Sequence, residues 1–492
     1  MRLCKGLLGI YWVVIWTIVA TAAGASTLTV NTLADGPNAD DSACTLREAI
    51  ASANANADVN AGFAACRDAA AYGTDTIRFA LGGTITVTTT LPSFTDGART
   101  TVLGDIDGDG DLDVTVSGGG SALPFEVDPG AQATLDHMAV VNGHSGVNGG
   151  GIRVFGSLNL LGCTVSGNTS DGYGAGVVVS VQGALIVNGC LFNDNIAGHD
   201  GGAIETEGGS VTVVGSRFVS NGARSGGAIF TAVPTSVISI TGSELTGNTA
   251  TSFGGAISTF GTLFLFGSTL SGNAAAADGG GIYQDGGAFT AANSTLSGNT
   301  AVRGGGFAIV TGEADLENVT IAFNAAPGGG GAIFTGSSDL TLSNTLVAQS
   351  VGTGNCGGPG AITDGTVNLD DGSTCGFGAG SLNNASPGLA PLGNNGGPTA
   401  THALLPGSAA IDAGLASACA SLTVADLDQR RRPRPVDGDG DGSAACDIGA
   451  FEADPLPVIA VPALGAAGET LLALTLLLLA ARRLRRHAGG TA

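Results

Sequence analysis

The chain is expected to be all-β: a parallel β-helix carrying a small helical cap at its N-terminal end. Three observations predict this. Asn residues recur at a nearly fixed step through the middle of the chain. Short alternating apolar runs flank each of them. Gly supplies 84 of 492 residues and aromatics only 5%. So much Gly without a three-residue period is not collagen. With 12% charged residues and 43% hydrophobic ones, the composition is not that of a disordered chain either.

The marked residues are Asn142, Asn168, Asn195, Asn221, Asn248, Asn273, Asn299 and Asn324, at steps of 25, 26 or 27 residues. Three residues before each is an apolar side chain, from Ala139 to Ile321. About seven residues after it a Gly cluster opens an apolar run, as in "GGAIF" (226–230) and "GGAIS" (254–258). Before it lies another alternating run, such as "SLNLL" (157–161) or "SVTVV" (210–214). Each period therefore holds three short strands and three turns, with no room for a helix. That is one coil of a parallel β-helix. At a strand spacing of about 4.8 Å, the eight marked coils span roughly 40 Å. "TIRFA" and "TITVTTTL" extend the stack toward the N-terminus.

Each Asn is expected at a corner in the left-handed conformation, with its amide hydrogen-bonded from coil to coil as a ladder. A second column lies five residues before it: His137, Cys163, Cys190, Ser216, Ser243, Ser268, Ser294 and Val319. Strand alternation points this column inward. Cys163 and Cys190 are then stacked neighbours. Either a disulfide or two buried thiols fits; buried thiols are preferred, because vertical stacking need not give disulfide geometry.

The ends read as targeting signals. Residues 1–25 have a basic start, an apolar stretch and Ala23-Gly24-Ala25, the pattern of a secretory signal peptide. Cleavage after Ala25 leaves eight cysteines in an oxidising compartment. Pairing of near neighbours would join Cys44 to Cys66, Cys356 to Cys375 and Cys419 to Cys446. At the other end, Val458 to Ala481 is long and apolar enough to span a bilayer, and "ARRLRRH" follows on the cytoplasmic side. The expected divisions are 1–25 signal peptide, 26–76 N-terminal cap, 77–350 β-helix, 351–453 C-terminal region and 454–492 sorting or membrane tail.

The segment "CTLREAI" (44–50) is the one run that reads as helix. Thr45 and Glu48 form a capping box, and Leu46, Ile50 and Ala53 share a face. A short amphipathic helix over the open end of a solenoid is a capping device. Glu48 is thereby structural, and Arg47 is a solvent-side or cap-anchoring charge.

Several segments resemble known families. "FNDN" (192–195), "FVSN" (218–221), "GGAI" (201–204, 226–229, 254–257) and "GGAIF" (330–334) look like the repeats of chlamydial polymorphic outer-membrane proteins, over roughly 133–345. That resemblance implies a right-handed, pectin-lyase-like solenoid and a surface setting. "CTLREAI" resembles the Cys-Ser-Leu-Arg-Glu-Ala motif of N-terminal domains on bacterial β-helix surface proteins, with Thr for Ser. "LGNNGGPTATHALLPGSAAIDAG" (392–414), "DLDQRRRPRP" (426–435) and "CDIGAFE" (446–452) resemble the choice-of-anchor Q domain. Val461-Pro462-Ala463-Leu464, the apolar run and the Arg cluster resemble the sorting tails of Gram-negative bacteria. Together these imply an exported protein on the cell surface or outer envelope of a Gram-negative bacterium.

Two Asp-rich loops are the best chemical signals. "DIDGDGDLD" places Asp105, Asp107 and Asp109 as in the opening of an EF-hand loop, and "DGDGDG" does so with Asp437, Asp439 and Asp441. Val116 and Ile448 stand where the bidentate Glu would be, so Asp113 and Asp447 are the expected closing ligands. Either calcium, as the one cofactor suggested, or a solvated acidic turn fits each loop. Arg430 is expected to pair with a nearby carboxylate such as Asp412.

No catalytic residue is assigned. Glu205 and Glu207 share a strand face and are the best carboxylate pair, but no cluster recurs in adjacent coils. "GHDGG" (198–202) is a faint signal, and His144 and His199 read as turn residues. The net charge of −23 disfavours nucleic acid. The preferred reading is a surface adhesin, binding or envelope protein. Its ligand is a glycan or a protein, and it meets the membrane through its tail. The alternative is a polysaccharide lyase or glycoside hydrolase on the same scaffold.

Overall fold

The computed structural model describes residues 26–36, 43–55, 66, 73–421 and 424–455. The expected signal peptide and the apolar span Val458–Ala481 lie outside the described residues. The chain is a right-handed parallel β-helix. Every pairing between its named strands is parallel, and one sheet of short strands runs 13 rungs, from Gly83–Thr86 to Leu382–Asn383. A 21-stranded sheet takes two strands from most coils, and a third, of two-residue strands, closes the section.

One coil shows the plan. Ser157–Leu161, Thr164–Ser166, Thr169–Ser170 and Val177–Val179 follow one another, and each pairs in register with its counterpart a coil on. Alternation sends every second side chain inward, where like stacks on like. One interior column runs Leu160, Val187, Val213, Ile240, Leu265, all fully buried. Another runs Val165, Phe192, Phe218, Leu245, Leu270. In it the Phe192 and Phe218 rings stack at 4.8 Å.

The polar columns differ from expectation by one residue at their start. Thr164 pairs with Ala139, so Asn168 lies in register with Gly143, not with Asn142. Asn142 is a left-handed corner (φ 49°) outside the ladder. The ladder residues themselves are not left-handed. The residue before each takes that conformation, for example Gly167, Gly247 and Gly272. At such a corner Gly is the least strained choice. The same shift removes His137 from the second column. His137 is a corner (φ 47°) bonded to Asp136, and Met138 takes the buried place.

The N-terminal helix, Leu46–Ala55, buries Leu46, Ala49, Ile50 and Ala53. Thr45 N donates to Glu48 Oε2 at 3.0 Å, and Glu48 N donates to Thr45 Oγ1 at 3.2 Å. Arg47 anchors the cap: it grips Asp35 and donates to the carbonyls of Thr89 and Thr90. Cys44 is disulfide-bonded to Cys66. Thr27–Val30 pairs with Asp75–Phe79, so the sheet already begins within the segment expected as cap.

Past residue 350 the coils continue. Cys356 pairs with Ile333, Leu369 with Leu346 and Leu382 with Leu369. The chain from about 386 then turns back along the side of the solenoid. It lies over the outward face of the short-strand sheet and does not cap the last coil. Ala400 N donates to Glu244, and Gln429 reaches Thr269 and Thr295. Ala450 N donates to Thr320 Oγ1. A second apolar core, including Leu346, Leu369, Ile448 and Phe451, forms between the two. Disulfides join Cys356 to Cys375 and Cys419 to Cys446.

Candidate functional site

Three places concentrate polar chemistry. The first is the pair of Asp-rich loops. Asp105 Oδ1 accepts from Gly108 N at 2.7 Å and Oδ2 from Gly110 N at 3.0 Å. These amide bonds, Gly108 first, hold its carboxyl below the usual range. One oxygen from each of Asp105, Asp107 and Asp109 falls within 4.8 Å of the others. Asp113 stands outside this group and accepts from Ile106 N at 2.8 Å.

The second loop repeats the geometry. Asp437 accepts from Gly440 N at 2.7 Å and from Gly442 N at 2.9 Å. Its carboxylate group, however, is Asp412, Asp437 and Asp439. Asp441 is turned to Ser443 N, and Asp447 is buried, accepting from Asp412 N at 2.7 Å. Asp447 thus positions Asp412 instead of closing the shell. Sequence reasoning missed Asp412 as a neighbour because it lies 25 residues away from Asp437. Nor does Arg430 pair with Asp412. Its Nε meets Asp428 at 2.8 Å, and its guanidinium lies 3.6 Å over the Phe451 ring. Both Arg430 and Asp428 are buried, so a planar, fully bonded guanidinium suits the place.

The second place is a strand column on the outer face, under the Gly-rich turns. Glu126, Arg153, Val178, Glu205 and Phe230 are rung neighbours. Gly201 passes directly over Glu205: at φ 72°, an added Cβ would sit 2.8 Å from that of Glu205. Glu205 is 1% exposed, and among the described residues its Oε2 has no hydrogen-bond partner. Burial, then the charges of Glu207 and Asp200, push its carboxyl up to about 8. Glu205 is therefore mostly protonated at neutral pH. Asp200 is held by Arg224 through two bonds, of 3.1 and 2.6 Å, and His199 stacks on Tyr173 at 5.1 Å. His144 faces Thr169.

The third place is the ladder system, which is structural. Asn195, Asn221, Asn248, Asn273 and Asn299 each donate Nδ2 to the next Asn and to a backbone carbonyl of the coil before. Beside it runs a second ladder that the sequence did not suggest. Cys163 N donates to Cys190 Sγ, Cys190 N to Ser216 Oγ, and so on through Ser243 and Ser268 to Ser294. Cys163 and Cys190 are free, buried thiols serving as Ser equivalents. The signal was in the column itself, since Ser and Cys share one donor–acceptor shape.

These features define a parallel β-helix with polar ladders and acidic turns. Residues 189–207 match the Chlamydia polymorphic membrane protein repeat. No curated protein matches the chain. The crystal structure of pectate lyase Pel9A is similar at 13% identity and a TM-score of 0.36, over 88% of this chain and 98% of that one.

Proposed function

We propose that this is an exported, surface-anchored β-helix protein with an adhesive or ligand-binding role. The observation that carries the proposal is the match to the polymorphic membrane protein repeat at 189–207, set within a continuous stack of parallel coils. The tail from 454 supplies the anchor, preceded in the sequence by 351–453 as a choice-of-anchor-type region. The working ligand is a glycan or a protein, and nucleic acid is disfavoured by the charge. Labelling intact producing cells with antibody to the β-helix tests this: surface label is expected, and label only after lysis would overturn it.

Calcium belongs to the same reading. Asp105, Asp107 and Asp109, and Asp412, Asp437 and Asp439, are hard oxygen donors pre-set by loop amides, a donor set suited to calcium. Without a bidentate Glu the affinity is expected in the weak, extracellular range of roughly 10⁻⁴ to 10⁻³ M. Titration calorimetry is expected to register binding that falls by one site in Asp107→Ala. No heat from the full chain would end the calcium proposal.

A second reading, polysaccharide cleavage, rests on Glu205 and Glu207. Two neighbouring carboxyls, one of them held protonated by burial, are the raw material of acid–base chemistry. Against it, Glu205 is covered by the Gly201 turn.

A further inference from the structure

A groove of about 210 Å³ opens beside this column, near the N-terminal end of the repeats. Its apolar lining includes Val147, Phe155 and Val178; its polar lining includes Asn148, Ser180 and Glu207. Arg153 also borders it, but its guanidinium is engaged. It donates to Asn148 O at 2.7 Å and Ser145 Oγ at 2.8 Å, and it pairs with Glu126 at 3.5 Å. Arg153 therefore fixes the Asn148 turn and offers no free cation. Asn148 Oδ1 accepts from Tyr173 N at 3.2 Å, and its Nδ2 points to Glu207 Oε1 at 3.4 Å. The buried carboxyl of Glu205, with its unpartnered Oε2, stands next to Val178 in the rung behind.

We infer that this groove binds one neutral sugar ring of a glycan through Phe155, Asn148, Ser180 and Glu207; the inference rests on the binding role proposed above and names its ligand class. Size is the first argument. The groove is smaller than the roughly 300–1,000 Å³ of drug-sized pockets, which suits a single ring. Chemistry is the second. A pyranose has an apolar C–H face and a rim of hydroxyls. The groove is lined by aromatic and aliphatic side chains together with amide, hydroxyl and carboxylate groups. Charge is the third. Glu207 lines the groove, and Arg153, the cation that borders it, is already engaged by Asn148, Ser145 and Glu126. A uronate carboxylate would meet like charge without a counterion. An extended peptide is disfavoured too, because Val154 is already paired on both sides and presents no open strand edge.

The test is saturation-transfer NMR and calorimetry on the full chain. The probes are methyl glucoside, methyl galactoside, N-acetylglucosamine and galacturonate. At least one neutral sugar is expected to bind, with galacturonate about tenfold weaker or worse. Phe155→Ala and Glu207→Gln are each expected to weaken binding by about tenfold, with the thermal melt unchanged. Asn148→Ala is the substitute if Phe155→Ala does not fold. Asp315→Asn, on a distant exposed strand, should bind as the unaltered chain does. A folded chain that binds no neutral sugar overturns the inference, as does equal binding of galacturonate. Binding unchanged in all three groove variants also overturns it, while leaving glycan recognition at another face. Capture of a protein ligand without any sugar would likewise sink the groove and spare the surface-binding role.

Discussion

Asn248 shows what a buried amide can do when its neighbours repeat it. Its Oδ1 accepts from Asn221 N at 3.0 Å and Asn221 Nδ2 at 2.9 Å; its Nδ2 donates to Phe218 O and Asn273 Oδ1. Both lone pairs and both donors are used. Asn248→Ala leaves two donors of Asn221 unpaired in the core, so a loss on the order of 2–4 kcal/mol is expected by denaturant titration. Asn142→Gly should be neutral or gain less than about 1 kcal/mol, since that corner is left-handed and outside the ladder. The contrast could not be read from residue type alone. Asn suits both a ladder and a left-handed corner, so residue type alone puts the first coil one residue early. Glu205 gives a third expectation at this scale. Its folded pKa of about 8 lies above the ordinary value of 4.5. The favourable contribution is complete below the ordinary value and is lost as pH rises toward the folded one. Glu205→Gln should therefore raise stability at pH 7 by on the order of 3 kcal/mol, and should do little at pH 4.

Among the elements, the C-terminal region is the least expected. It does not merely end the solenoid; it covers one of its sides. The outward column Arg217, Glu244, Thr269, Thr295, Thr320, Leu346 records where it does so. Arg217 is well exposed, whereas Thr269, Thr295 and Thr320 are buried beneath 399–450. The change from charge to Thr and Leu was present in the sequence, but Thr is equally at home on an exposed strand. The strands themselves were legible because their interior columns repeat. Lateral docking, by contrast, depends on contacts between residues more than a hundred positions apart, such as Thr295 with Gln429 at 2.6 Å. Ile448 is fully buried in this second core. Ile448→Ala should cost about 2–5 kcal/mol locally. Limited proteolysis should then cut within 386–455 first and leave the coils from 83 to 383 intact. Simultaneous loss of both would show the two to be one cooperative unit.

At the scale of the whole molecule, charge and fold act together. Burial raises Glu205 to about 8, Glu452 to about 7 and Asp447 to about 6. Each binds its proton more tightly folded than unfolded, so stability falls as pH rises through these values. The net charge of −23 adds self-repulsion in the same direction. The melting temperature in calcium-free buffer is expected to drop steadily from pH 5 to pH 8; a rise over that range would contradict the assignments. The solenoid was readable because each coil restates the same pattern, whereas a binding groove is formed once, from turns whose sequences vary. Glu205 and Glu207 are visible as a pair, but not the Gly201 turn that covers Glu205 or the groove that Phe155 and Glu207 both line. The proposed role is binding of a surface ligand, with polysaccharide cleavage as the second reading. Incubating the full chain with a panel of neutral and acidic polysaccharides tests it most directly, with retention and newly formed chain ends measured together. Retention of a neutral glycan with no new reducing or unsaturated ends is the predicted result. Turnover that disappears in Glu205→Gln would contradict it.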